Sequence, residues 1–204
     1  MEARRFDPSL ILGGVLCRFG YVRILFCAPL SPSGPGVLRP FPTTFWLACP
    51  WLVSRAGAVE SEGGVRRLEE WLASHAPGPW REYGRLHQLL RLALLSPHQR
   101  DFLRRFRPSL FDGLRLGGVG GTRPRDGELR VKCLHLQTAS WLALGRHPGA
   151  EWLRAEGLDG DCDGREALVP TAARGCARLP LAGGQEGLYP QGTGCRTAGG
   201  LSCA

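Results

Sequence analysis

The sequence predicts an α+β fold: a small N-terminal antiparallel β-meander packed on a mainly helical body, with a disordered C-terminal tail. Three observations predict it. Short strand-like runs joined by turn residues fill the chain up to Pro50, helical apolar periodicity follows, and periodicity disappears beyond Leu158. A chain of 204 residues with 43% hydrophobic content can bury one core, so residues 1–158 read as a single domain and 159–204 as a Gly/Pro-rich tail.

Residues 13–28 read as a hairpin. Gly14–Cys17 leads through a Phe19-Gly20 turn into Val22–Phe26. The Pro/Ser/Gly stretch from Pro29 to Pro42 reads as a loop. Thr43–Ala48 has the β-branched and aromatic content of a third strand, which Cys49-Pro50 ends. Val65, Leu68, Trp71 and Leu72 then recur at helical spacing, stopped by Ala76-Pro77-Gly78-Pro79. Trp80, Tyr83, Leu86, Leu90 and Leu94 mark a second helix, and His98–Arg107 a third that ends at Pro108. Gly117–Gly127 is a glycine-rich connection. Val131–Leu144 is apolar nearly all round and is expected at the centre of the core. A last helix runs from His147-Pro148 to about Gly157.

The formal charge is +8, and nearly all of the basic residues are arginine; Lys132 is the single lysine. Asparagine is absent and isoleucine occurs only at Ile11 and Ile24, the bias of a GC-rich genome, so arginine content alone is weak evidence for a polyanionic ligand. Positive charge is concentrated in residues 1–158, and from residue 159 onward four arginines face five acids. A nucleic acid or a phosphate compound is the partner this distribution admits. Eight cysteines are too sparse for a disulfide scaffold. The N-terminal apolar run is short and is followed at once by Arg18 and Arg23, unlike a leader, and no stretch has the length of a membrane span. The expectation is a cytoplasmic protein with reduced thiols.

Pro40-Phe41-Pro42-Thr43-Thr44-Phe45-Trp46-Leu47-Ala48-Cys49-Pro50, then Gly118-Val119-Gly120-Gly121 and Val131-Lys132-Cys133-Leu134-His135, resemble the bacterial family called domain of unknown function 501. The resemblance covers roughly residues 10–157. It implies a small cytoplasmic bacterial protein and carries no activity with it. Where the family has Cys-Pro-x-Gly after its first strand, this chain has Cys17-Arg18-Phe19-Gly20.

Two uses of the segment 117–135 compete. In the first, Cys17 and Cys49 fall at the same edge of a meander, with Cys27 roughly 20 Å away at ~3.3 Å per residue. If the start of the Val131 helix docks there, Cys17, Cys49, Cys133 and His135 form a Cys₃His set suited to zinc or an iron–sulfur cluster, closed and structural. This requires an extended or turning backbone at Cys133–His135, since helical positions two apart diverge by about 200°. The plain alternative is that these thiols are small buried hydrophobes.

In the second use, Gly117, Gly118, Gly120 and Gly121 expose backbone N–H groups, and a helix regular from Val131 puts Lys132 and His135 on one face above Ala139, a site for a phosphate or carboxylate. Its alternative is that the glycines serve close packing. Neither a P-loop nor a dinucleotide signature is present. Arg100, Arg104 and Arg107, with Arg105 beside them, form either a phosphate-binding face or a solvated one. His87 shares a face with Tyr83 and Leu90 and reads as a packed helix histidine.

Overall fold

The computed structural model describes residues 8–32, 37–123, 129–162 and 176. Strands β1 (Ile11–Leu16) and β2 (Val22–Cys27) pair antiparallel around a tight turn at Gly20, whose φ of 79° favours glycine and whose N–H donates to Cys17 O at 2.9 Å. Within the expected loop, β3 (Leu30–Pro32) and β4 (Leu38–Pro40) pair as a separate two-stranded ladder. Strand β5 (Phe45–Leu47) returns to pair antiparallel with β2, with Ile24 opposite Leu47, giving the order β1-β2-β5. The predicted meander is thus present.

Among the described residues seven α-helices follow: α1 (Pro50–Ser61), α2 (Gly64–His75), α3 (Pro77–Ala93), α4 (Pro97–Phe106), α5 (Pro108–Leu116), α6 (Leu134–Leu144) and α7 (Ala150–Ala155). Sequence reasoning anticipated neither α1 nor α5. Its stop signals were prolines, and Pro50, Pro77, Pro97 and Pro108 each open a helix, where a missing N–H costs nothing and φ is already helical. The third departure is the start of α6, at Leu134 rather than Val131.

The all-round apolar α6 is central, as its sequence demands. Leu134, Leu136, Ala139 and Trp141 pack with Ile24, Phe45 and Leu47 of the sheet and with the buried faces of α1 and α2. A separate small cluster of Leu30, Leu95, Leu103 and Leu114 holds α4 and α5. Packed chain continues past α7: Leu158 and Cys162 are buried, Arg23 donates to Asp159 O at 2.8 Å and Gly160 O at 2.9 Å, and Arg18 donates to Cys162 O at 2.9 Å. The remainder of the expected tail, residue 176 apart, lies outside the described residues. No helix among the described residues is long and apolar enough to cross a membrane.

Candidate metal centre

The N-terminus of α6 is built by a residue from α1. Cys133 is the N-cap, extended at φ −166° and ψ 157°, and its own side chain makes no capping bond. The orphaned N–H groups of the first turn are met instead by Glu60, whose Oε1 accepts from Leu134 N at 2.5 Å and from His135 N at 3.4 Å. A carboxylate is favoured there by the positive end of the helix dipole. A second acid, Glu69 of α2, accepts from Val131 N at 2.7 Å. With these N–H groups turned to the two acids, Cys133 stays extended and the helix begins only at Leu134.

His135 lies over α1 along the stripe Val53, Gly57, Glu60, which repeats at i, i+4 and i+7. Glycine keeps the middle of that stripe low: a Cβ at position 57 would stand 4.0 Å from His135 Cε1. At one end, His135 Nε2 lies 3.1 Å from Val53 O; at the other, Nδ1 lies 3.0 Å from Glu60 Oε1. A carbonyl oxygen only accepts, so Nε2 carries a proton, and Nδ1 either shares a proton with the carboxylate or offers its lone pair to a cation. Burial alone would raise the Glu60 carboxyl, but the hydrogen bond and charge of His135, with the N–H groups of Leu134 and His135, outweigh it and hold the group below its ordinary value.

Cys133 completes the cluster. One ligand atom each from Glu60, Cys133 and His135 lie within 4.8 Å of one another. The extended backbone at Cys133 brings its side chain together with that of His135, as the metal reading required. Cys17 and Cys49 do not join them. Both sit at one edge of the sheet, Cys17 N–H on Tyr21 O and Cys49 N–H on Arg23 O. Because β2 runs between β1 and β5, they are separated by two strand spacings, about 9.6 Å at ~4.8 Å each. Cys49 is instead the buried N-cap residue of α1, its thiol pushed up by burial and partly offset by the backbone N–H groups of Leu52 and Trp51. Cys27 is buried at the far end of β2, its thiol pushed up to about 12 by burial.

Several N–H groups of the glycine turn point to the turn's own carbonyls. Gly118 N–H donates to Thr122 O at 2.7 Å, Gly121 N–H to Gly118 O at 3.1 Å and Thr122 N–H to Val119 O at 3.4 Å. What the glycines supply is space. A Cβ on Gly120, at φ +65°, would stand 2.3 Å from Leu136 Cδ2 and 3.2 Å from Lys132 Cδ; on Gly121, 2.6 Å from Pro42 Cβ; on Gly117, 2.7 Å from Gly121 Cα. Lys132 lies in the non-helical segment before α6, so it does not share a helical face with His135. From below, buried Arg91 of α3 fastens the turn, donating Nη1 to Gly118 O at 2.7 Å and Nε to Leu114 O at 3.1 Å, its guanidinium pulled down to about 10 by burial.

Behind α6 lies a buried polar row. The Tyr83 hydroxyl and His87 Nε2, the latter at 2.8 Å, both meet Ser140 Oγ. His147 Nδ1 accepts from Gly149 N at 2.9 Å, so Nε2 carries the proton donated to Gln137 Oε1 at 2.9 Å. Ser140, His87 and Gln137 are fully buried, whereas Tyr83 and His147 reach a recess of about 350 Å³ that they line with Glu82 and Arg146.

Sequence reasoning missed Glu60, Glu69 and Arg91, each of which lies on a helix and acts on a distant segment. For Glu60 the available signal was a carboxylate seven residues after Val53, legible only once α1 is known to be a helix.

No curated protein and no solved structure matches the chain. The sequence profile of the family described as protein of unknown function (DUF501) matches residues 14–155, a span that holds the glycine turn, the Glu60, Cys133 and His135 cluster and the β5 motif. On that match, the chain belongs to the DUF501 family of proteins of unknown function.

Proposed function

We propose that the protein binds one zinc ion through Glu60 Oε1, Cys133 Sγ and His135 Nδ1. The observation that carries the reading is the approach of one ligand atom from each of these three residues within 4.8 Å of one another where α1 meets the start of α6. In a tetrahedral site with ~2.0–2.1 Å bonds, a nitrogen and an oxygen ligand stand about 3.3 Å apart. The 3.0 Å between His135 Nδ1 and Glu60 Oε1 needs little adjustment to reach that. The Val53 carbonyl serves as the outer partner that fixes the ring and directs Nδ1 inward. One thiolate, one imidazole and one carboxylate suit zinc; an iron–sulfur cluster asks for more thiolates than this cluster has.

This ligand set differs from the Cys₃His set expected from the shared sheet edge of Cys17 and Cys49, with Glu60 in their place. Three protein ligands leave a fourth position for water or a substrate atom, the arrangement in which bound zinc lowers the pKa of a water or polarises a carbonyl. Metal analysis of the purified full chain tests the reading. About one zinc per chain is expected in the wild type and in Cys49→Ser, and a large loss in Cys133→Ser and His135→Gln. A wild-type chain that neither carries zinc nor takes it up on addition would overturn it. A Glu60 that merely caps α6 would leave the chain folded and metal-free.

A further inference from the structure

We infer that α4 is a docking surface for single-stranded nucleic acid. Ten residues long, this helix buries only Leu103, which anchors it on the small cluster beneath. Its remaining positions are exposed, among them Phe102 at 43% and Phe106 at 67%, with ring centroids 5.4 Å apart. Among the described residues, the guanidinium groups of Arg100, Arg104, Arg105 and Arg107 pair with no carboxylate. Arg104 and Arg105, with Asp101, line a surface recess of about 350 Å³.

The helical wheel orders these groups around the exposed arc. At ~100° per residue, Arg100 and Arg104 lie one turn apart on one side, Phe102 and Phe106 one turn apart on the other, and Arg105 falls between the two rows. The helix is presented rigidly. Its N-terminus is closed by a capping box, in which Ser96 Oγ accepts from Gln99 N at 3.1 Å and Gln99 Oε1 accepts from Ser96 N at 2.9 Å. A genome that favours arginine explains guanidinium groups on a surface, but it does not explain two phenylalanines held beside them in water.

Phosphates on the guanidinium row and bases stacked on the rings are what a single strand offers, and this recognition tolerates any sequence because every base has a π-face. A duplex hides those faces. A lipid surface would want a broader apolar side than two rings, and the leucine of this helix is already buried in the protein.

Fluorescence anisotropy of the full chain with short labelled single-stranded RNA and DNA of mixed sequence tests the inference. Binding that weakens with salt is expected. Phe102→Ala/Phe106→Ala should weaken it about tenfold or more with little change in salt slope, while Arg104→Ala/Arg105→Ala should also lower the slope by about 1.4. Circular dichroism of each variant confirms that these exposed changes leave the fold intact. The inference is overturned by absence of binding, or by binding indifferent to the two rings. It is equally overturned if polyglutamate or anionic vesicles bind with the same ring dependence, or if the rings instead govern concentration-dependent self-association.

Discussion

Across the junction of α1 and α6, the Glu60 carboxylate lies 3.0 Å from His135 Nδ1 while the same oxygen accepts the N–H of Leu134 at 2.5 Å. One side chain therefore sets where the central helix starts and positions the histidine of the candidate site. Glu60→Gln keeps an acceptor oxygen but removes the charge facing the helix dipole and His135. A loss of about 1–2 kcal/mol is expected in metal-free protein by urea denaturation at neutral pH. The Glu60 carboxyl is held below its ordinary value in the folded state, so this contribution is present above the unfolded value of 4.5 and is lost as pH falls through the folded one. The gap between wild type and variant should close in acid. A gap that widens on acidification would contradict the assignment.

The two buried histidines behind α6 make a different demand on pH. Burial, first of all, pushes both His87 and His147 down to about 3 from an ordinary 6.5, with neighbouring charges adding to it. The unfolded chain therefore binds protons between those values that the folded chain refuses, and stability is lost as pH falls from about 6.5. Each histidine contributes a slope of about 1.4 kcal/mol per pH unit in that window. Denaturation at neutral pH and at about pH 5 should differ by about 3–4 kcal/mol. A flat profile would refute the assignment.

Gly120 tests whether the glycine turn is there for packing. Its positive φ and the 2.3 Å approach of a Cβ to Leu136 Cδ2 put the cost of Gly120→Ala at about 2–4 kcal/mol. Gly113 lies inside α5 with nothing within 4 Å of its Cβ position, and Gly113→Ala should stabilise by up to about 1 kcal/mol. Thermal melts of the two variants moving in opposite directions would confirm the contrast. A harmless Gly120→Ala would contradict the tight packing.

Arg91 joins α3 to the C-terminal turn of α5 and to Gly118 through charge-assisted bonds to two carbonyls. Arg91→Met keeps the aliphatic volume and leaves those carbonyls bare, at a cost of about 2–3 kcal/mol. Hydrogen exchange should show α5 and residues 117–122 losing protection first. Uniform loss across the domain would argue against so local a role.

The meander, the central place of α6 and the family were readable because strand alternation, all-round apolarity and three distinctive motifs are local properties. Helices α1 and α5 were not, since Pro50 and Pro108 each serve as both an end and a beginning, and spacing alone reads only the end. The candidate site was half legible. Cys133 and His135 stand two residues apart and could be paired from the motif, whereas Glu60 arrives from a helix seventy-odd residues earlier and Cys49 was drawn in by sheet-edge geometry alone. What brings Cys133 and His135 together is the backbone at Cys133, which is set by distant acids rather than by its own sequence.

The most direct test of a metal at the α1–α6 junction is the absorption spectrum of the cobalt(II)-loaded full chain. A thiolate-to-cobalt charge-transfer band in the near ultraviolet, with the visible bands of tetrahedral cobalt, is the expected result. Both should vanish in Cys133→Ser and persist in Cys17→Ser and Cys49→Ser. A spectrum without the thiolate band, or a band that disappears with Cys49 and survives the loss of Cys133, would contradict the account.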